Sequence, residues 1–381
     1  MKILSFIGLC ATLGMFSCQN NEIGANDPIL GLEKGKYYKF SFESPDVEEE
    51  PLQQSILSSP STRLQYDPSY LNLKWHPGDS IDLVDVSHDA VYSGSWNPKN
   101  KFKATGQGVN NTKSFAGSMP VYVENGATEA KFDLFGIHPS QSDMFELKAG
   151  NDKKGAVFTI VYRQEQNYFI RDKQNGQIDY NDQKRQFGAN IPLTSSVLKG
   201  HKVTVATDGT LKSQKSAKLI FKPAVGIMSL VIHKDSLSKS NYKDIVFDEV
   251  KSTLRLDKPN GNSDDNKFIN KIQYYVDSGK YYPKVYPHTD DSYVSSVSKY
   301  ATETSLQELM REINPKLKDN LNFPLFIPIS TPVTGFSVTM VFSKGGKVQF
   351  ELVKDIRMDG KFSFQAGIKH RAMMPSVSNS I

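Results

Sequence analysis

The sequence predicts an all-β protein built from antiparallel β-sandwiches, and three observations predict it. Short apolar runs alternate with polar residues at period two, the pattern of a strand with one buried face. Asn-Gly, Asp-Gly and Gly-Gly pairs recur between such runs, where hairpins need positive φ. One segment alone carries helical periodicity. The 381 residues include 22 Phe, 17 Tyr and 2 Trp, enough to fill real cores and too many for a disordered chain. At roughly 100–200 residues per domain, this length suggests two or three domains. A net charge of +5 with no basic block argues against nucleic-acid binding.

The elements follow in order. Lys2 and the apolar stretch Ile3–Phe16 read as an export signal over residues 1–18, too short to span a bilayer. Both cysteines, Cys10 and Cys18, lie in it, so the mature chain has no disulfide framework and no thiolate metal site. Met15-Phe16-Ser17-Cys18 resembles a bacterial lipobox, which would make Cys18 the lipidated first residue. A plain secretory signal is the alternative. Residues 19–35 are polar and Gly-rich, a tether. Lys36–Phe42 reads as a first strand, followed by a loop rich in Glu, Pro and Ser from Glu43 to Thr62.

From Tyr70 onward short strands and turns alternate. Asn125-Gly126 follows Val121–Val123, and Asp208-Gly209 divides His201–Thr207 from Thr210–Ser213. Lys218–His233 is long enough for a strand, a bend at Pro223 and a buried second strand. Ser305-Leu306-Gln307-Glu308 has the form of a capping box, with Leu306, Leu309, Met310 and Ile313 at helical spacing and Pro315 as the stop. Near the end, Phe336, Val338, Met340 and Phe342 share one face, as do Val348, Phe350 and Leu352, around a turn at Gly345-Gly346. Asp359-Gly360 marks a further turn before Lys361–Phe364. The division expected is an N-terminal sandwich over 36–214 and a C-terminal one over 215–381, the latter with the one short helix.

Catalytic chemistry finds little support. The seven histidines fall into no metal spacing. Asp79, Asp82, Asp85 and Asp89 crowd one stretch but alternate faces, and read as a solvated strand with its loops. Gly106-Gln107-Gly108 lacks the third glycine of a dinucleotide fingerprint. No nucleophile elbow is present. Trp75 and Trp96 read as core or interface anchors, although either could stack on a sugar. No cofactor and no metal site is expected.

Leu73-Lys74-Trp75-His76-Pro77-Gly78-Asp79-Ser80-Ile81 resembles the W-x-x-G-D-x-I segment of the fimbrillin-like family, the type V pilus subunits and surface lipoproteins of Bacteroidota. Further likeness lies in Lys101-Phe102, in Phe115-Ala116-Gly117 read as a turn, in Lys131–Pro139 and Leu219–Gly226, and in the closing Phe364–His370. His138 and His370 stand where the family has Tyr, and Asp143–Gln186 is a long charged insert. The resemblance implies two transthyretin-like sandwiches in tandem and no enzymatic activity. It implies a lipoprotein of the outer membrane and cell surface, acting as structural subunit or tip adhesin of a pilus. Its partners would be other subunits joined by donor-strand exchange, the membrane through the lipid, and a host or bacterial surface ligand. It also implies cutting after an arginine beyond the first strand, and Arg63 is the only arginine before Arg163. Two alternatives stay open: a non-polymerising surface lipoprotein that binds glycan or host protein, and a secreted carbohydrate-active hydrolase.

Overall fold

A computed structural model describes residues 31–45, 75, 78–105, 112–151, 155–171, 182–233, 242–257, 267–269, 271–277, 280–283, 292–313 and 320–375. The first strand of the fold, β1 (Tyr37–Pro45), obeys the alternation of its sequence without a break. Tyr38, Phe40, Phe42 and Ser44 are buried, while Tyr37, Lys39, Ser41 and Glu43 face out. It pairs antiparallel with β4 (Thr112–Pro120), which pairs with β3 (Asn100–Thr105), then β2 (Ser80–Asp85), β5 (Glu129–His138), β10 (Leu198–Val205) and β11 (Leu211–Ser213). Two short strands, β9 (Leu193–Ser195) and β12 (Phe221–Pro223), complete this nine-stranded sheet. The sheet curls until its ends meet, because β1 also makes parallel bridges to Thr210 and Lys218.

A second pair of sheets packs face to face. One is three-stranded, with β13 (Gly226–Ile232) between β18 (Leu321–Ile327) and β21 (Lys369–Met373). Every residue of β13 is buried, as the apolar run after Pro223 predicts, and so is every residue of β18. The other sheet runs β20 (Lys347–Phe362), β19 (Val333–Lys344), β14 (Val246–Leu256), β17 (Tyr293–Ser305) and β8 (Glu165–Ile170). Phe323 of β18 meets Phe342 of β19 edge to face at 6.2 Å across the interface. A four-stranded sheet of β6 (Phe145–Ala149), β7 (Ala156–Val161), β15 (Lys271–Tyr275) and β16 (Lys280–Pro283) covers β5 through Phe135 and Phe158. The fold is all-β. Antiparallel pairing dominates it, with parallel pairs at β13–β21 and β8–β17.

The C-terminal hairpin follows its pattern in most respects. Gly345 and Gly346 both have positive φ, 54° and 77°, as a two-residue turn between twisted strands requires. Phe336, Val338, Met340, Phe342, Phe350 and Leu352 are buried. Val348 is not. Phe342 pairs with Phe350 and the next residue, Ser343, with Val348, so Gln349 is the extra residue of a β-bulge. The bulge inverts the alternation, and Val348 is 62% exposed. Asp359-Gly360 does not form a turn either. β20 continues through it, bulging between the Gly335–Arg357 and Val333–Phe362 pairs.

Among the described residues three short helices are present where one was expected. The expected one is α3 (Leu306–Ile313), with its capping box formed: Ser305 N–H donates to Glu308 Oε2 at 3.1 Å, and Glu308 N–H to Ser305 Oγ at 3.2 Å. The others are α1 (His88–Val91), capped by Ser87, and α2 (Asp182–Asn190) in the insert. Their sequences escape notice for different reasons: α1 is a single turn, and α2 is a polar run with few apolar positions to show a period. Phe115-Ala116-Gly117 also departs from expectation, lying within β4 rather than at a turn. A Cβ on Gly117 would sit 2.7 Å from Lys101 O and 2.8 Å from the Phe102 ring, so glycine there permits the close approach of β3.

His370, in β21, is fully enclosed between Phe362 and Phe364, at 5.4 and 5.2 Å. Its Nε2 has no hydrogen-bond partner among the described residues. Burial therefore holds the ring neutral and pushes its pKa down to about 4.

Two outcomes follow for stability. Phe350→Ala should cost about 3–5 kcal/mol and lower the melting temperature clearly, while Gln349→Ala should leave it nearly unchanged. Equal effects would contradict the register. For pH, the folded pKa of His370 lies below its unfolded value of about 6.5. Its contribution is therefore complete above about pH 6.5 and is lost as pH falls toward about 4, amounting to about 3 kcal/mol. Urea melts at pH 7 and 4.5 should show His370→Phe close to wild type at the higher pH and more stable than wild type at the lower. A constant difference between the two proteins would contradict it.

Candidate functional site

The best-defined feature is the groove that β1 occupies. All nine residues of β1 register with β4, from Tyr37–Pro120 to Pro45–Thr112. On its other side Glu43 N–H donates to Ala217 O at 2.8 Å and Leu219 N–H donates to Glu43 O at 3.0 Å. β1 is thus hydrogen-bonded along both edges although it comes first in the sheet.

The buried side chains of β1 form a plug. Phe42 stacks on Phe115 at 5.2 Å and tilts against Phe102 at 5.8 Å. Phe40 meets Phe102, Phe132 and His201 at 6.0–6.2 Å, bridging β3, β5 and β10. Burying each phenyl ring contributes roughly 2–3 kcal/mol. Ser44 accepts a hydrogen bond from Trp75 Nε1 at 3.0 Å, and Trp75 packs at 5.1–5.4 Å on Phe115, His138 and Phe221. Trp75 is therefore a core anchor that ties the end of β1 to the floor of the groove. Trp96 is half-buried and donates from Nε1 to Asp85 O at 2.9 Å.

The Asp cluster needs a correction. Its members do not converge, but the strand is not solvated, since Asp82 and Asp85 are buried. Asp82 accepts from Ser140 Oγ at 2.7 Å, from Gln141 N–H at 2.7 Å and from Gln141 Nε2 at 2.8 Å. It fixes the turn after β5, where Gln141 takes a φ of 59°. Asp85 accepts from the N–H groups of Ser87 at 3.0 Å and Asp133 at 3.1 Å. Burial nevertheless pushes its carboxyl up to about 7. Both residues tie strands together. Their partners come from residues up to 59 positions away, which no local pattern reveals.

His138 and His370 are both buried. His138 lies 2.9 Å through Nδ1 from Ile191 O, a contact that calls for the Nδ1–H tautomer, and burial lowers its pKa. His201, below Phe40, reaches Ser213 Oγ at 2.9 Å. Among the described residues no group of three or more His, Cys, Asp or Glu is placed to hold a metal ion. No helix among them is long and apolar enough to cross a membrane. Cys18, Arg63, His76 and Gly106–Gly108 lie outside the described residues.

No protein-family model matches the chain, and no curated protein sequence does. Solved structures do. A candidate cell adhesion protein from Bacteroides uniformis is 13% identical, with a TM-score of 0.39 over 79% of this chain and 87% of its own. A second, from Bacteroides ovatus, is 9% identical, with a TM-score of 0.39 over 90% and 92%. A fimbrial protein from Bacteroides vulgatus is 11% identical, with a TM-score of 0.28 over 80% and 95%. Cell adhesion and fimbrial proteins of Bacteroides are thus what this chain is similar to.

Proposed function

We propose that the chain is a non-enzymatic adhesion or pilus subunit of the cell surface whose first strand is made to be replaced. In this reading the protein is exported and held at the outer membrane through a lipid on Cys18. Cutting after Arg63 separates β1 and everything before it from the rest of the chain. A donor strand from another subunit then takes the place of β1.

The observation that carries this reading is the construction of β1. It is a nine-residue strand with strict alternation, bonded along both edges, and in sequence it precedes Arg63. Once cut, it has no covalent link to the body. Its departure would leave the β4 edge unpaired and the Phe102, Phe115 and Phe132 rings open to water. An exposed edge beside a row of apolar pockets is the template for β-strand addition. Backbone hydrogen bonds supply strength to any incoming strand, and the pockets under Phe40 and Phe42 select one with large apolar residues two apart. The position of Arg63 in Ser58-Ser59-Pro60-Ser61-Thr62-Arg63 suits proteolysis, because small polar residues dominate it.

The test is Arg63→Ala in the producing cell. The variant should remain full length and fail to enter filaments sheared from the surface, while wild type enters them. Wild-type surface protein that still begins at Cys18 inside filaments would overturn the reading.

A further inference from the structure

A cleft of about 360 Å³ lies away from the β1 groove, between the turn after β5, the start of β8, the end of α2 and the end of β18. Its volume falls within the range of small-ligand sites. We propose that this cleft binds a neutral pyranose saccharide.

The lining has two chemistries. Tyr162, Tyr168, Phe326 and nearby prolines supply apolar surface. Tyr162 and Tyr168 are locked in place, the former by donating to Ala224 O at 2.8 Å. Gln166 fixes Phe326 by bonding both its N–H and its carbonyl, at 3.0 and 2.8 Å. Above this floor stand exposed planar polar groups. Asn167 donates to Glu165 Oε1 at 3.3 Å and Asn190 to Gln186 O at 2.7 Å, and among the described residues neither asparagine Oδ1 has a hydrogen-bond partner. Arg163 grips Asp143 at 2.5 Å, and Lys251 holds Glu165 at 3.2 Å. The Lys251 ammonium keeps the Glu165 carboxyl below the usual carboxylate range, so it is an acceptor at neutral pH.

That combination selects among ligand classes. An aliphatic ligand would desolvate amides and carboxylates without satisfying them. A phosphate or an acidic sugar would meet two carboxylates in the lining and one cation, Arg163, already paired with Asp143. A neutral sugar ring offers what the cleft lacks. Its hydroxyls can donate to the asparagine and carboxylate oxygens, and its C–H face can lie on the apolar floor. Pre-set side chains lower the ordering cost of binding.

The site is independent of strand replacement: a chain can polymerise without binding sugar, or bind sugar without polymerising. The test is isothermal titration of the purified full-length chain with glucose, galactose, mannose, fucose, N-acetylglucosamine and glucuronate. At least one neutral sugar should bind with a Kd of roughly millimolar order, and glucuronate should bind more weakly. Asn167→Ala with Asn190→Ala should weaken that binding at least about tenfold, the order of one or two lost hydrogen bonds. Both positions are exposed, so the melting temperature should stay at its wild-type value. Absence of saturable binding by every neutral sugar, or binding that the double variant leaves intact, would overturn the proposal. So would a preference for glucuronate.

Discussion

The first sheet depends on a strand that stands beside β4 and beside the 210–219 segment at once. Phe40 and Phe42 reach from β1 to rings on β3, β4, β5 and β10, so one short strand covers the interior of the whole curl. Without it, β4 becomes an edge and a row of phenylalanines loses its cover. Natural sheets avoid such edges by charge, bulges or closure. This protein uses closure, and the closing strand lies upstream of a sequence segment rich in small polar residues. In the proposed cycle a strong fit and a severable covalent link meet in the same element. That combination is what strand replacement requires, since a departing strand must leave a groove shaped for its successor.

The insert between β5 and β9 has a different role. β7 pairs with β15 over five residues, and β8 pairs in parallel with β17 over six. Phe187 of α2 packs on Phe326 of β18 at 4.2 Å. The insert therefore binds strands from late in the chain to strands from early in it. The sugar cleft sits at this joint, so its polar groups are carried on elements held by several sheets. A site built this way is pre-organised more firmly than one on a free loop.

Much of this was legible in the sequence. The composition of Lys36–Phe42 marked it as a strand, and the run after Pro223 marked a second, buried one. The capping box at Ser305 located the start of its helix. What stayed hidden was set by long-range partners or by single insertions. Nothing near Gln349 announces a bulge, yet that residue alone turns Val348 outward. Asp82 looks like a surface carboxylate until the turn at Ser140-Gln141 folds over it. The saccharide cleft draws on residues from Pro139 to Pro328, a span in which no motif could appear. Arg63 and Cys18, by contrast, were read from sequence, and the structural description does not extend to them.

The central claim is that β1 can be replaced in its groove once the chain is cut. It is tested most directly by mass spectrometry of the chain cleaved after Arg63 and incubated with an isotopically heavy peptide carrying residues 36–45. The account predicts that the heavy peptide enters the body of the cleaved chain as the native N-terminal piece leaves, and that the uncleaved chain takes up none. A cleaved chain that keeps its own β1 and excludes the peptide, under conditions where the protein assembles, would contradict it.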